Sequence, residues 1–171
     1  MRDAIDAEGV VTAGVADAAA TTAASASKVR AVIAVATCIL RAVPSSEALT
    51  RGVRVTVNAR YSSSHSDPAK REWFFLYTVT ITNEGEATVQ LVNRHWVIMN
   101  ANGHVEEVRG PGVVGNQPTL KTGESFEYTS GCPLKTPFGS MHGEYEMVTE
   151  DGDMFLAEIA PFALRESETF H

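Results

Sequence analysis

The sequence predicts an all-β protein: an antiparallel sandwich over residues 51–164, preceded by an alanine-rich extension (1–50) carrying one helix and followed by a short tail (165–171). Three observations predict it. The first 50 residues hold 15 alanines and no Phe, Tyr or Trp, so all 13 aromatic residues lie beyond them. Aromatic side chains supply the large buried areas of small cores, which assigns the core to the 121 residues from Arg51 onward, enough for one stable domain. From Arg51 the hydrophobic period becomes two, the period of a half-buried strand. Turn signals then recur every 8–14 residues with no helical period between them, the pattern of a sandwich. A barrel of similar strand number is the alternative.

In chain order, Asp3 to Ala26 is rich in Ala, Thr and Ser and interrupted by Gly9 and Gly14. Over Lys28–Val43, Val29, Val32, Ala36, Ile39 and Val43 share one helical face. Ser27 is placed to cap that helix and Pro44 to stop it. Lys28, Arg30 and Arg41 within this composition suit an organelle presequence, for a plastid or mitochondrion; Asp3, Asp6, Glu8 and Asp17 oppose it, because transit peptides avoid acids. A cytoplasmic location is the other reading. Strands are predicted at Val53–Val57, Trp73–Ile81, Val89–Met99, Val105–Val108, Ser125–Ser130, Gly143–Thr149 and Met154–Ile159. Asn83–Glu86, Asn100–Gly103 and Asp151-Gly152 are the turns between them. Val55, Val57, Phe75, Tyr77, Val79, Trp96 and Tyr145 are the predicted core.

Composition narrows the function. With 14 basic against 21 acidic residues and a net charge of −7, the chain lacks the basic surface that nucleic-acid binding requires. Its longest apolar run, Ala31 to Leu40, is broken by Thr37 and falls short of a membrane span. Cys38 and Cys132 make neither a disulfide framework nor a zinc-ligand pair, which fits a reducing intracellular compartment.

The informative stretch is Asn93 to Met147. It reads Arg94-His-Trp96, Gly110-Pro-Gly-Val-Val-Gly-Asn-Gln-Pro118, Gly123-Glu-Ser-Phe-Glu-Tyr-Thr-Ser-Gly131, Thr136-Pro-Phe-Gly139, Met141 and Gly143-Glu-Tyr145. In order and spacing these motifs resemble the ApaG family, across about residues 51–164; Thr122 departs from the family's frequent proline. The resemblance implies an immunoglobulin-like or fibronectin III-like β-sandwich. In bacteria such proteins stand alone and are linked genetically to cobalt and magnesium tolerance. In eukaryotes the domain is appended to F-box and other adaptor proteins, as a partner-binding module. The resemblance implies no established catalytic chemistry, while pyrophosphate or nucleotide binding has been suggested for the glycine loop.

Read for their own chemistry, the same residues give two candidate sites. Gly110, Gly112 and Gly115 spell G-x-G-x-x-G, but Pro118 follows and no strand–helix unit surrounds it, so a dinucleotide fingerprint lacks its context. Successive amides there would still suit an anion nest, with Arg109 as a charged donor. Pro133, Leu134, Pro137 and Phe138 form the second candidate, an apolar loop suited to a protein partner, with Phe138 an anchor if exposed. His95 points away from Arg94 and Trp96 on a strand and is a possible ligand contact. Glu144 and Glu146 share a strand face but define no acid–base pair alone. Cys132 has no base at a recognisable spacing, and the remaining histidines form no metal motif. These readings favour a non-enzymatic module for protein–protein interaction, with no cofactor and no metal. The alternative is a small-anion (pyrophosphate or nucleotide) binding protein connected to divalent-cation homeostasis. An enzyme hydrolysing such an anion is third, because it needs a base and usually a metal.

Overall fold

In a computed structural model describing residues 45–166, the alternating segments become strands. They are β1 (Ser46–Thr50), β2 (Val53–Tyr61), β3 (Trp73–Asn83), β4 (Val89–Asn100), β5 (Val105–Pro111), β6 (Thr119–Leu120), β7 (Ser125–Leu134), β8 (Phe138–Thr149) and β9 (Met154–Arg165). One sheet has the order β1-β2-β3-β7 and the other β5-β4-β8-β9, with β6 pairing the far end of β4. Every described pairing between strands is antiparallel. The predicted helix over Lys28–Val43 lies outside the described residues.

Alternation fixes which side chains enter the core. Val53, Val55 and Val57 of β2 are buried, as are Phe75, Tyr77, Val79 and Ile81 of β3. From the second sheet come Leu91 and Trp96 of β4, Met141, Tyr145 and Met147 of β8, and Ile159, Phe162 and Leu164 of β9. All of the predicted core residues are among the buried ones. Trp96 joins the sheets: its ring meets Tyr77 of β3 edge-on at 5.4 Å, and Tyr145 and Phe162 at 6.2 and 6.1 Å. The hydroxyls of Tyr128 on β7 and Tyr145 on β8 hydrogen-bond to each other across the core. One phenol donates and the other accepts, so each buried oxygen has a partner, and burial pushes both pKa values up.

Two strands carry no readable signal. β1 lies within the segment assigned to the extension; its Ser-Glu-Ala-Leu-Thr has no apolar alternation, and Leu49 is exposed. It is held by a two-residue turn, Arg51 and Gly52, both at positive φ, that closes the Thr50–Val53 pair with the twist hairpins favour. β6 is two residues long and pairs Val89 and Gln90. The other strands extend past their predicted ends, β9 as far as Arg165.

Candidate functional site

Side chains that alternate away from Trp96 and Tyr145 form the outer face of the second sheet, and register arranges them in rows. One row runs Arg109, His95, Glu144, Glu158 across β5, β4, β8 and β9. The neighbouring row is Pro111, Asn93, Glu146, Leu156. On the other side of His95 come Glu107, Val97 and His142, then Val105, Met99, Ser140 and Ala163. Phe138 begins β8 beside that last row, opposite Arg165.

His95 is the centre of the polar part. Its Nε2 lies 2.9 Å from Glu107 Oε2 and its Nδ1 3.3 Å from Glu144 Oε1, with the side chain 17% exposed. A neutral imidazole has one N–H and donates to only one of these carboxylates; the imidazolium donates to both. Arg109 donates to the same Glu107 oxygen at 3.3 Å. The hydrogen bond from His95, and then that from Arg109, holds the Glu107 carboxyl below its ordinary range. Because that pKa is depressed, the contact is present at neutral pH and is lost as acid protonates Glu107. Asn93 Nδ2 donates to Glu146 Oε2 at 3.1 Å. Between these groups an open cleft of about 360 Å³ is lined by Asn93, Arg94, His95, Glu144, Glu146 and Leu156, with Arg109 to Pro111 along one side.

The glycine loop beside the cleft is built on a bulge. At Val92 the β4–β8 register shifts, and the freed Val92 carbonyl accepts from Gly112 N at 2.8 Å and Gln117 Nε2 at 2.9 Å. Arg94, under Gly110, donates to the carbonyls of Pro111 and Gly112 at 3.0 and 2.9 Å. Val113 and Asn116 exchange backbone bonds of 2.8 and 2.9 Å around a turn of Val114 and Gly115. The N–H groups of Gly112, Val113 and Asn116 thus already have acceptors inside the protein. Gly112 sits at φ +58 with the Asn116 carbonyl where a Cβ would go, so the glycine serves a tight fold of the loop upon itself.

Val114 occupies φ +47, a region that suits β-branched residues poorly. Such turns prefer Asn-Gly. Val114→Asn is therefore expected to raise stability by about 1 kcal/mol, read as a shift of the chemical-denaturation midpoint. An unchanged or lowered midpoint contradicts the strain.

The second candidate segment divides. β7 continues through Leu134, which is buried, and only Lys135, Thr136 and Pro137 connect it to β8. Leu134 therefore belongs to the core and is not available as a contact, a correction to its place in the apolar loop. Pro133 and Pro137 are exposed, and Phe138 is 55% exposed. Met99 and Val105, 44% and 50% exposed, face each other across β4 and β5 beside it. Cys132 is buried and its thiol is pushed up to about 12 by loss of solvation, far from a thiolate nucleophile. Among the described residues no group of three His, Cys, Asp or Glu is placed to hold a metal ion.

Arg94 and Gln117, which tie the loop to β4, were not singled out for that role by the sequence; neither was Glu158, whose place beside Glu144 depends on register. The one signal for Gln117 was its position in the Gly-x-Gln-Pro motif.

Comparison with known proteins agrees with this architecture. The ApaG domain profile matches residues 63–149. Protein ApaG of Anaeromyxobacter dehalogenans is 55% identical over 119 residues, covering 70% of this chain and 94% of its own. Protein ApaG of Beijerinckia indica is 53% identical over 116 residues, covering 68% and 89%. The crystal structure of the putative ApaA protein from Bordetella pertussis superposes with a TM-score of 0.67 at 50% identity, over 68% of this chain and 95% of that one. With the motifs around Trp96 and the glycine loop on the same two-sheet frame, the chain belongs to the ApaG family.

Proposed function

We propose that the chain is a non-enzymatic recognition module that binds a protein partner through the outer face of its second sheet, with Phe138 as the anchor. The observation that carries the reading is the exposure of Phe138 at 55% beside exposed Met99 and Val105. Large apolar side chains grouped on one surface, with polar groups around them, are the usual composition of a binding patch. The chemistry nearby supports binding over catalysis: both nitrogens of His95 are engaged by carboxylates, and the Cys132 thiol is buried and protonated. The anion reading at Arg109, Gly110, Gly112 and Gly115 has weaker support. Three of the loop's amides are spent on its own fold, Arg109 is paired with Glu107, and Glu144 and Glu146 line the adjoining cleft.

In affinity capture with the full chain as bait, Phe138→Asp is expected to abolish retention of the protein that the wild-type chain retains, leaving circular dichroism and thermal midpoint close to wild type because the residue is exposed. Arg109→Ala is expected to retain it. Pyrophosphate is expected to leave the thermal midpoint unchanged, whereas a true ligand at 100 times its dissociation constant would add about 2.7 kcal/mol. Retention by Phe138→Asp, or a saturable pyrophosphate effect lost in Arg109→Ala, contradicts the reading.

A further inference from the structure

The row through His95 gathers carboxylates that, among the described residues, have only that histidine as a basic partner. Glu144 on β8 and Glu158 on β9 are directly opposite one another on the outer face, an arrangement of like charges that costs stability in a sheet. Glu146 is next to them and, among the described residues, accepts from the neutral amide of Asn93 alone. Among the described residues no lysine or arginine forms an ion pair with Glu144, Glu146 or Glu158. Arg109, the basic residue of that row, is turned to Glu107 on its own strand. Leu156, 53% exposed, flanks the same carboxylates and offers an apolar wall for the stem of a long side chain.

We infer that the partner presents an extended segment carrying a basic residue, seated among Glu144, Glu146 and Glu158, and apolar residues reaching Met99 and Phe138. This rests on the reading of Phe138 as an anchor and adds the partner's chemistry to it. Charge complementarity selects the sign: three carboxylates that share one histidine, His95 on Glu144, and no lysine or arginine among the described residues attract a cation and repel an acidic segment, and the net charge of −7 acts in the same direction at long range. Register selects the spacing. Met99 is four residues from His95 along β4, and Phe138 six residues from Glu144 along β8, about 13 and 20 Å at the rise of a strand. An extended segment lying along these strands meets both with residues four and six positions from its basic residue. Even spacings keep all of them on one face.

The test uses the full chain and fluorescently labelled 12-residue peptides of Ser and Thr. In the first, Arg is followed by Leu four positions on and Phe six positions on, in either chain direction. In the second Glu replaces Arg, and in the third Arg is moved by one position. Anisotropy titration is expected to show the first binding at least about fivefold more tightly than the others at low salt, with the advantage shrinking as salt rises. The double variant Glu144→Gln, Glu158→Gln is expected to erase the advantage while keeping the dependence on Phe138. If the first and second peptides bind equally and both are lost in Phe138→Asp, the inference is overturned and the anchor stands. If the first peptide does not bind, the inference alone is overturned; if it binds and is indifferent to Phe138→Asp, both readings fall together.

Discussion

Gly143→Ala is expected to destabilise the protein by about 3 kcal/mol, although it adds one methyl group to a residue in ordinary extended backbone. Gly143 faces Trp96 across the β4–β8 pair. A Cβ there would lie 2.1 Å from the carbonyl oxygen of His95, 3.1 Å from its carbon and 3.2 Å from the Trp96 Cα. All three obstacles are backbone, so no rotamer change relieves them. The strands themselves must move apart, at the point where Trp96 packs into the core and His95 turns out to Glu107 and Glu144. The next step in β8 also carries the register shift between Met141 and Gly143 against β9, so the close approach and the irregular pairing coincide. Gly115→Ala is the matched control: a Cβ there meets open space, and only the φ of +75 opposes it, a cost of about 1 kcal/mol. Equilibrium denaturation of the two variants measures the difference. Equal losses contradict the close-approach argument.

Asn83→Ala is expected to cost about 3 kcal/mol, through polar groups left without partners. Asn83 is 1% exposed. Its Nδ2 donates to the carbonyls of Ala87 and Leu120 at 2.8 and 2.9 Å, and its Oδ1 accepts from Gly85 N at 3.0 Å. Its backbone N–H donates to Glu124 and its carbonyl accepts from Gly123. One side chain thus fastens the β3–β4 turn, the end of β6 and the turn before β7. Asn83→Asp sharpens the test, because an ionised carboxylate has no donor for two facing carbonyls. Only the protonated acid donates to one of them, so its pKa is raised in the folded state. Stability of Asn83→Asp is then expected to be greatest below the ordinary carboxyl value of about 4 and to fall as pH rises from there through the raised folded-state value. A denaturation midpoint in Asn83→Ala within about 0.5 kcal/mol of wild type contradicts the role of the side chain.

The long strands were legible because their burial alternates: Val53, Val55 and Val57, or Phe75 through Ile81, declare a face without any partner being known. β1 and β6 were not, since one lacks apolar alternation and the other is held by two residue pairs. Register was the larger gap. The sequence places His95 opposite in direction to Trp96, yet nothing in it brings Glu107 and Glu144 to the two ring nitrogens, 12 residues and 49 residues away. Nor does it set Glu158 against Glu144, because the β8–β9 pairing shifts between Met141 and Gly143. The glycine loop drew notice through spacing, but what decides its conformation is the Val92 bulge and the Arg94 guanidinium. Composition groups Leu134 with Phe138, yet β7 continues through Leu134 and buries it, while Phe138, beyond the three connecting residues, stays in solvent.

Photocrosslinking from single positions tests the recognition surface most directly. A photoreactive phenylalanine derivative is placed at 138, at 105, or at 80 on the outer face of the first sheet, and each chain is expressed and irradiated in its own cellular background. Covalent adducts of one common mass from positions 138 and 105, with none from position 80, are the predicted result. Adducts from position 80 and none from 138 would place the partner on the other sheet and contradict the account.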